Sequence, residues 1–133
     1  MEEDGRGRTV LLVEDEPSVR NLARHALSRA GYRVFVAGDG PTAKSAWSEH
    51  SADIDLLFTD MVMPHGVSGR ELADHCLQAR PDLRVLYTSG YSVELTAPGF
   101  SESTGHLFLQ KPYLPQDLLR KVRHCLAQNG APH

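Results

Sequence analysis

No stretch of this chain is apolar for long enough to span a bilayer, so membrane insertion is not expected. Basic runs are also lacking, and the formal net charge is only −3 with neutral histidines. Direct nucleic-acid contact is therefore not expected, and there is no acidic tail of the kind that keeps a chain disordered. Cysteine is scarce. Cys76 and Cys125 fall within helical patterns and are not spaced as a metal motif. They read as reduced packing thiols of a cytoplasmic protein rather than a disulfide. Residues Met1 to Arg8 lack the apolar centre of a signal peptide and read as a loose tail. Internal repeats and linkers are missing too. The 133 residues suit one domain, expected over residues 9–127, with flexible tails at 1–8 and 128–133.

What the chain does have is an ordinary globular share of apolar residues, 41%, in short runs that alternate with helical patterns. Strands are expected at Thr9–Val13, Arg33–Ala37, Ile54–Thr59, Val85–Thr88 and Leu107–Gln110. Pro17 suits a first helical position, and Val19, Leu22, Ala23, Ala26, Leu27 and Ala30 follow at helical spacing until Gly31. Pro41 opens a second helix carrying Ala43, Ala46 and Trp47, with Trp47 expected in the core. Ser68 and Glu71 have the spacing of a capping box, ahead of Leu72, Ala73, Cys76, Leu77 and Ala79. A short fourth helix over Tyr91–Thr96 is broken by Pro98-Gly99, and a last helix begins near Pro115. Five strands alternating with helices predict an α/β fold: a doubly wound, five-stranded parallel sheet of flavodoxin-like (βα)5 form.

The charges stand where the apolar runs stop. Val10-Leu11-Leu12-Val13 meets Glu14-Asp15-Glu16, the third run meets Asp60, and Leu107-Phe108-Leu109-Gln110 meets Lys111-Pro112. In a parallel sheet those ends share one edge, so carboxylates and an ammonium converge. Carboxylates crowd together at neutral pH only around positive charge, which predicts a divalent metal and a reacting anion. Ligands of open parallel sheets also bind outside the carboxyl ends of the strands. Each element alone has an ordinary explanation: an aspartate at a strand end caps a helix, and an acidic triplet favours the positive end of the helix that follows. The combination, in order and at successive strand ends, is far more specific.

Four segments carry a family resemblance: Leu12-Val13-Glu14-Asp15-Glu16, Phe58-Thr59-Asp60-Met61-Val62-Met63-Pro64, Thr88-Ser89-Gly90-Tyr91 and Leu109-Gln110-Lys111-Pro112-Tyr113. Together they resemble the response-regulator receiver domain of two-component signalling, over about Thr9 to Ala127. The resemblance implies a phosphoacceptor in a phosphorelay, served by a histidine kinase or histidine phosphotransfer protein. It also implies a downstream effector protein or output domain. Asp60 is the expected nucleophile, forming an acyl phosphate. Mg2+ answers the repulsion between two anions, with Glu14, Asp15 and Asp60 as carboxylate donors and, by family analogy, the Val62 carbonyl. Lys111 pairs with one phosphoryl oxygen and Ser89 donates to another. Thr88 competes with Ser89 for that hydroxyl role; the exit of the apolar run and the spacing of twenty-two residues to Lys111 favour Ser89.

In the resemblance Ser89 and Phe108 are the switch pair, Phe108 following Ser89 inward and reshaping the face of the fourth helix, fifth strand and last helix. Val62 and Tyr91 flank the phosphoryl group by register, which predicts slow self-dephosphorylation. The loop Met63–Gly69 is one residue longer than the commonest family form, and the fourth helix is interrupted. Both departures resemble receivers of hybrid histidine kinases or small single-domain regulators. Competing expectations are a phosphorylation-independent interaction module and a Mg2+-dependent phosphohydrolase with an aspartyl nucleophile. The latter needs an acid two residues after Asp60, where Val62 stands. His25 and His65 are read as ordinary surface or loop histidines.

Overall fold

The computed structural model describes residues 7–62, 67–89 and 107–127. In chain order the elements are β1 (Thr9–Val13), α1 (Pro17–Arg29), β2 (Arg33–Ala37), α2 (Gly40–His50), β3 (Leu56–Asp60), α3 (Gly69–Ala79), β4 (Arg84–Ser89), β5 (Leu107–Gln110) and α4 (Pro115–Ala127). All strand pairs are parallel, in the order β2-β1-β3-β4-β5. The chain winds outward one way from β1 to β2 and the other way from β3 to β5. The reversal lies between β1 and β3, which end in Val13 and Asp60.

Alternation along the strands divides the core in two. Leu11, Leu57, Val85 and Tyr87 face α2 and α3, where Trp47, Leu72 and Cys76 pack. Val10, Leu12, Phe58 and Leu86 face α1 and α4, where Leu27, Leu118 and Val122 pack. β1 and β3 are buried along their whole length, as central strands of a sheet covered on both faces. Both cysteines are free and buried on opposite faces. Burial pushes their thiols up, to about 12 for Cys76 and about 11 for Cys125, so both stay protonated and unreactive.

The helix boundaries follow local chemistry. Pro17 occupies the first turn of α1, and Gly31 with φ 98° takes the left-handed position beyond its end. The α3 capping box forms in both directions: Glu71 N donates to Ser68 Oγ at 3.0 Å and Ser68 N donates to Glu71 Oε1 at 3.0 Å. The cap of α2 is Asp39, whose Oδ1 accepts from Thr42 N at 2.9 Å, so the helix starts at Gly40, one residue before Pro41.

Several boundaries and faces differ from expectation. β3 spans Leu56–Asp60 rather than Ile54–Thr59. Asp55 is taken up in a brace to β1, with Asp55 N donating to Thr9 O and Thr9 N donating to Asp55 Oδ2, both at 2.8 Å. β4 is one residue longer at each end than Val85–Thr88. Leu22, one of the apolar residues at helical spacing on α1, is 43% exposed, and Ala79 on α3 is exposed. The apolar stripe is narrower than periodicity suggested: Ala23, Ala26 and Leu27 alone seal α1. The fourth helix over Tyr91–Thr96, the Pro98-Gly99 break, His65 and most of both tails lie outside the described residues.

Candidate functional site

Three strand ends build the site. Glu14 leaves β1 directly after Val13, Asp60 closes β3, and Lys111 follows β5. The Lys111 ammonium donates to Asp60 Oδ2 at 3.0 Å and to Glu14 Oε1 and Oε2 at 3.2 and 3.3 Å. Those partners are 51 and 97 positions away in the chain. Glu14 and Asp60 are 1% and 5% exposed. Asp15 beside them is exposed, and the carboxylate oxygens of Glu14, Asp15 and Asp60 lie within 4.8 Å of one another. A triplet that only flattered the helix terminus of α1 would be solvated; the burial of Glu14 excludes that simpler reading.

Burial, the largest influence, pushes the Asp60 carboxyl above the ordinary aspartate range, and the Asp15 charge adds to it. The Lys111 hydrogen bond and charge, with the Val62 N–H, oppose this without cancelling it. Glu14 is raised by burial and by Asp60, against a hydrogen bond from Glu16 N at 3.1 Å and the pull of Lys111. For Lys111 burial acts downward, but the two carboxylates outweigh it and hold the ammonium protonated. Burial and the charges of Glu14 and Asp60 keep the Tyr113 phenol neutral. Among the described residues, Lys111 alone hydrogen-bonds to the carboxylates of this three-acid cluster, so the acids outnumber the ammonium that pairs with them. Among the described residues the donor set is oxygen alone, which suits a hard cation such as Mg2+.

Around this centre the backbone is closely seated. Met61 N donates to Thr88 O at 3.0 Å, and Gly69 N donates to Met61 O at 3.0 Å. A Cβ on Gly69 would collide with the Asp60 carbonyl oxygen, so only glycine lets the start of α3 press against the end of β3. A Cβ on Gly40, at the start of α2, would similarly strike the Val67 side chain ahead of α3.

Of the other candidates, Val62 is exposed beside Asp60 and its N–H supports the carboxyl. The hydroxyl of Ser89 lies outside the described residues, although its backbone completes β4 opposite Gln110. Thr88, its competitor, is buried, and its Oγ1 has no hydrogen-bond partner among the described residues. Phe108 is 9% exposed and already packs inward with the α2/α3 core. His25 is exposed on α1 and Trp47 is core. Beside the pocket, Val19, Leu22, Lys111, Pro112 and Tyr113 line an open cavity of about 330 Å³, which accounts for the exposure of Leu22. Sequence reasoning missed the close approach at Gly69 and the inward fold of Arg20 described below; neither has a local pattern that predicts it.

An open parallel sheet with an acidic pocket and a lysine at its topological switch point defines a class: doubly wound α/β domains whose ligands meet the carboxyl edge. The model of the response regulator receiver domain matches residues 10–123, and the chain belongs to that family. It is 33% identical over 118 residues to the sensor kinase CckA of Brucella abortus, covering 89% of this chain but 12% of the kinase. It is 30% identical over 119 residues to the response regulator receiver protein CpdR of the same organism, covering 90% of this chain and 97% of that protein. The response regulator TrrA of Thermotoga maritima, solved in complex with Mg2+ and BeF, superposes with a TM-score of 0.76 at 28% identity, covering 90% of this chain and 99% of that one.

Proposed function

We propose that this receiver domain accepts a phosphoryl group on Asp60 from a histidine kinase or a histidine phosphotransfer protein. The observation that carries the reading is the Lys111 ammonium held 3.0 Å from Asp60 Oδ2 inside a three-carboxylate cluster. An Asp60 oxygen attacks the phosphorus of a phosphohistidine, the P–N bond breaks, and the imidazole leaves. Lys111 stays beside the reacting carboxyl and receives developing phosphoryl charge as a compact cation. The Val62 N–H orients the Asp60 carboxyl. Ser89 is the proposed hydroxyl donor by its place at the exit of β4. Glu14, Asp15, Asp60 and the Val62 carbonyl are the proposed Mg2+ donors. When bound, Mg2+ supplies the positive charge that lets one anion approach another.

The domain unit is taken as residues 9–127, acting in the cytoplasm where its donor resides; no described helix is long and apolar enough to cross a membrane. It works as a phosphoacceptor rather than a turnover enzyme, passing its state to an effector protein or output domain. The switch pair is Ser89 and Phe108. Because Phe108 is already inward, the proposed signal is retention of that position rather than a swing from solvent. Phe108→Ala is expected to leave Asp60 phosphorylation intact and blunt the output.

Intact mass after incubation with acetyl phosphate and Mg2+ tests the reading. One phosphoryl adduct is expected on the unaltered chain and none on Asp60→Asn. An unmodified chain points instead to a phosphorylation-independent interaction module. Turnover of a phosphate ester points to a phosphohydrolase, against which Val62 stands where an acid is needed.

A further inference from the structure

We infer that Arg20 is a positioning residue for the cation site, acting through the backbone of the acidic turn; the inference rests on the magnesium reading above. Arg20 lies one helical turn beyond Glu16, with Arg20 N donating to Glu16 O at 2.9 Å. Its side chain folds back rather than outward, and Nη1 donates to the backbone carbonyl of Glu14 at 2.9 Å. On its other side Glu14 N donates to Ala37 O at 3.0 Å. Both peptide groups flanking Glu14 are therefore held, one by β2 and one by the guanidinium.

This matters most for Asp15. Its carboxyl is exposed, and among the described residues no hydrogen bond holds it. What aims it toward Glu14 and Asp60 is the peptide that Arg20 fixes. The guanidinium has room because residue 38 is glycine: a Cβ there would stand 3.2 Å from Nη1. The guanidinium thereby lies close against the β2–α2 turn while it bonds to the β1–α1 turn. Supports of metal ligands are worth about tenfold or more in affinity.

Charge and positioning predict opposite signs. Arg20 places a positive charge near a cation site, so if charge were its only influence, removing it would tighten Mg2+ binding. If it positions the turn, removal weakens binding. Mg2+ affinity is measured by calorimetry on the unaltered chain, Arg20→Met, Arg20→Lys and Gly38→Ala, with melting in EDTA as the check on folding. Arg20→Met is expected to weaken Mg2+ about tenfold with little change in EDTA melting. Arg20→Lys should recover most of that, since one donor suffices. Gly38→Ala, which keeps Arg20 but crowds it, should weaken binding by a smaller factor. Unchanged or tighter binding in Arg20→Met overturns the inference. Should Arg20→Met fail to fold, unchanged affinity in Gly38→Ala overturns it. Absence of Mg2+ heat in the unaltered chain defeats the metal reading itself, and this inference with it.

Discussion

At the N-terminal edge of the sheet, the Arg80 guanidinium meets two backbone carbonyls, Ser51 O at 2.6 Å and Ile54 O at 2.5 Å, and pairs with the exposed Asp82. At the C-terminal edge, one ammonium serves Glu14 and Asp60, with Asp15 adding a third negative charge. Both edges join turns that are distant in sequence. At the first, every group in the clamp has a complement, and the result is a brace. At the second, the acids outnumber the base, and burial leaves two carboxyls raised above their ordinary values. The difference teaches where this domain stores its capacity to react: in an edge left electrostatically incomplete on a sheet whose other edge is closed.

Lys111→Met tests that contrast most severely. It leaves Glu14 and Asp60 facing each other in a buried site without their ammonium, at a cost of about 3 kcal/mol in the metal-free protein at neutral pH. Phosphoryl uptake should also fall by about a hundredfold, because the cation facing the developing charge is gone. Chemical denaturation and adduct formation measured on the same preparation check both. A variant with normal stability and normal uptake would mean that the lysine serves neither edge chemistry nor packing.

Arg80→Ala cuts the opposite brace. The loss of hydrogen bonds to two carbonyls should lower stability by about 1–3 kcal/mol. Uptake per folded molecule should remain within about twofold, since the proposed phosphoryl chemistry lies at the other edge. A large drop in uptake would show that the two edges are coupled through the strands.

The smallest expected effect concerns pH. The folded-state values of Glu14 and Asp60 lie above their unfolded values of 4.5 and 3.8. The folded protein therefore binds these protons more readily than the unfolded chain. Its penalty is complete above the folded values and is relieved as pH falls through them toward the unfolded ones. Lys111 is opposite: its contribution is complete below 10.5 and is lost as pH rises through its raised folded value. These two carboxyls should consequently raise the melting temperature of the metal-free protein as pH falls from neutrality through their folded values. Asp60→Asn should flatten that slope and add roughly 1 kcal/mol at neutral pH, about 4 °C in Tm. An Asp60→Asn variant with the same pH profile of melting as the unaltered chain would contradict the raised Asp60 carboxyl.

Much of this was legible in the chain itself. β1, β2 and β5 match their expected spans residue for residue, because a charge or glycine turn ends each run. The capping box of α3 was readable from Ser68 and Glu71, since that chemistry is local. The start of β3 was not, because Ile54 looks like a strand residue until Asp55 is seen bracing Thr9. The exposure of Leu22 was not legible for a related reason: helical spacing predicts a stripe, but how wide a stripe is covered depends on what packs against it. Asp60, Glu14 and Lys111 were visible as charges ending apolar runs. Arg20 was not, as its reach back to Glu14 exists only once the turn has folded.

The order of strands and helices, the identity of the acids and the lysine, and the caps follow from the amino-acid sequence, because periodicity, capping and turn chemistry act over a few residues. The meeting of Lys111 with carboxylates 51 and 97 positions away was decided by tertiary structure alone. So were the burial that raises Glu14 and Asp60, and the glycine contact that seats α3 against the end of β3. The side-by-side order of strands in the sheet and desolvation are properties of the assembled fold, and no short window of sequence contains them.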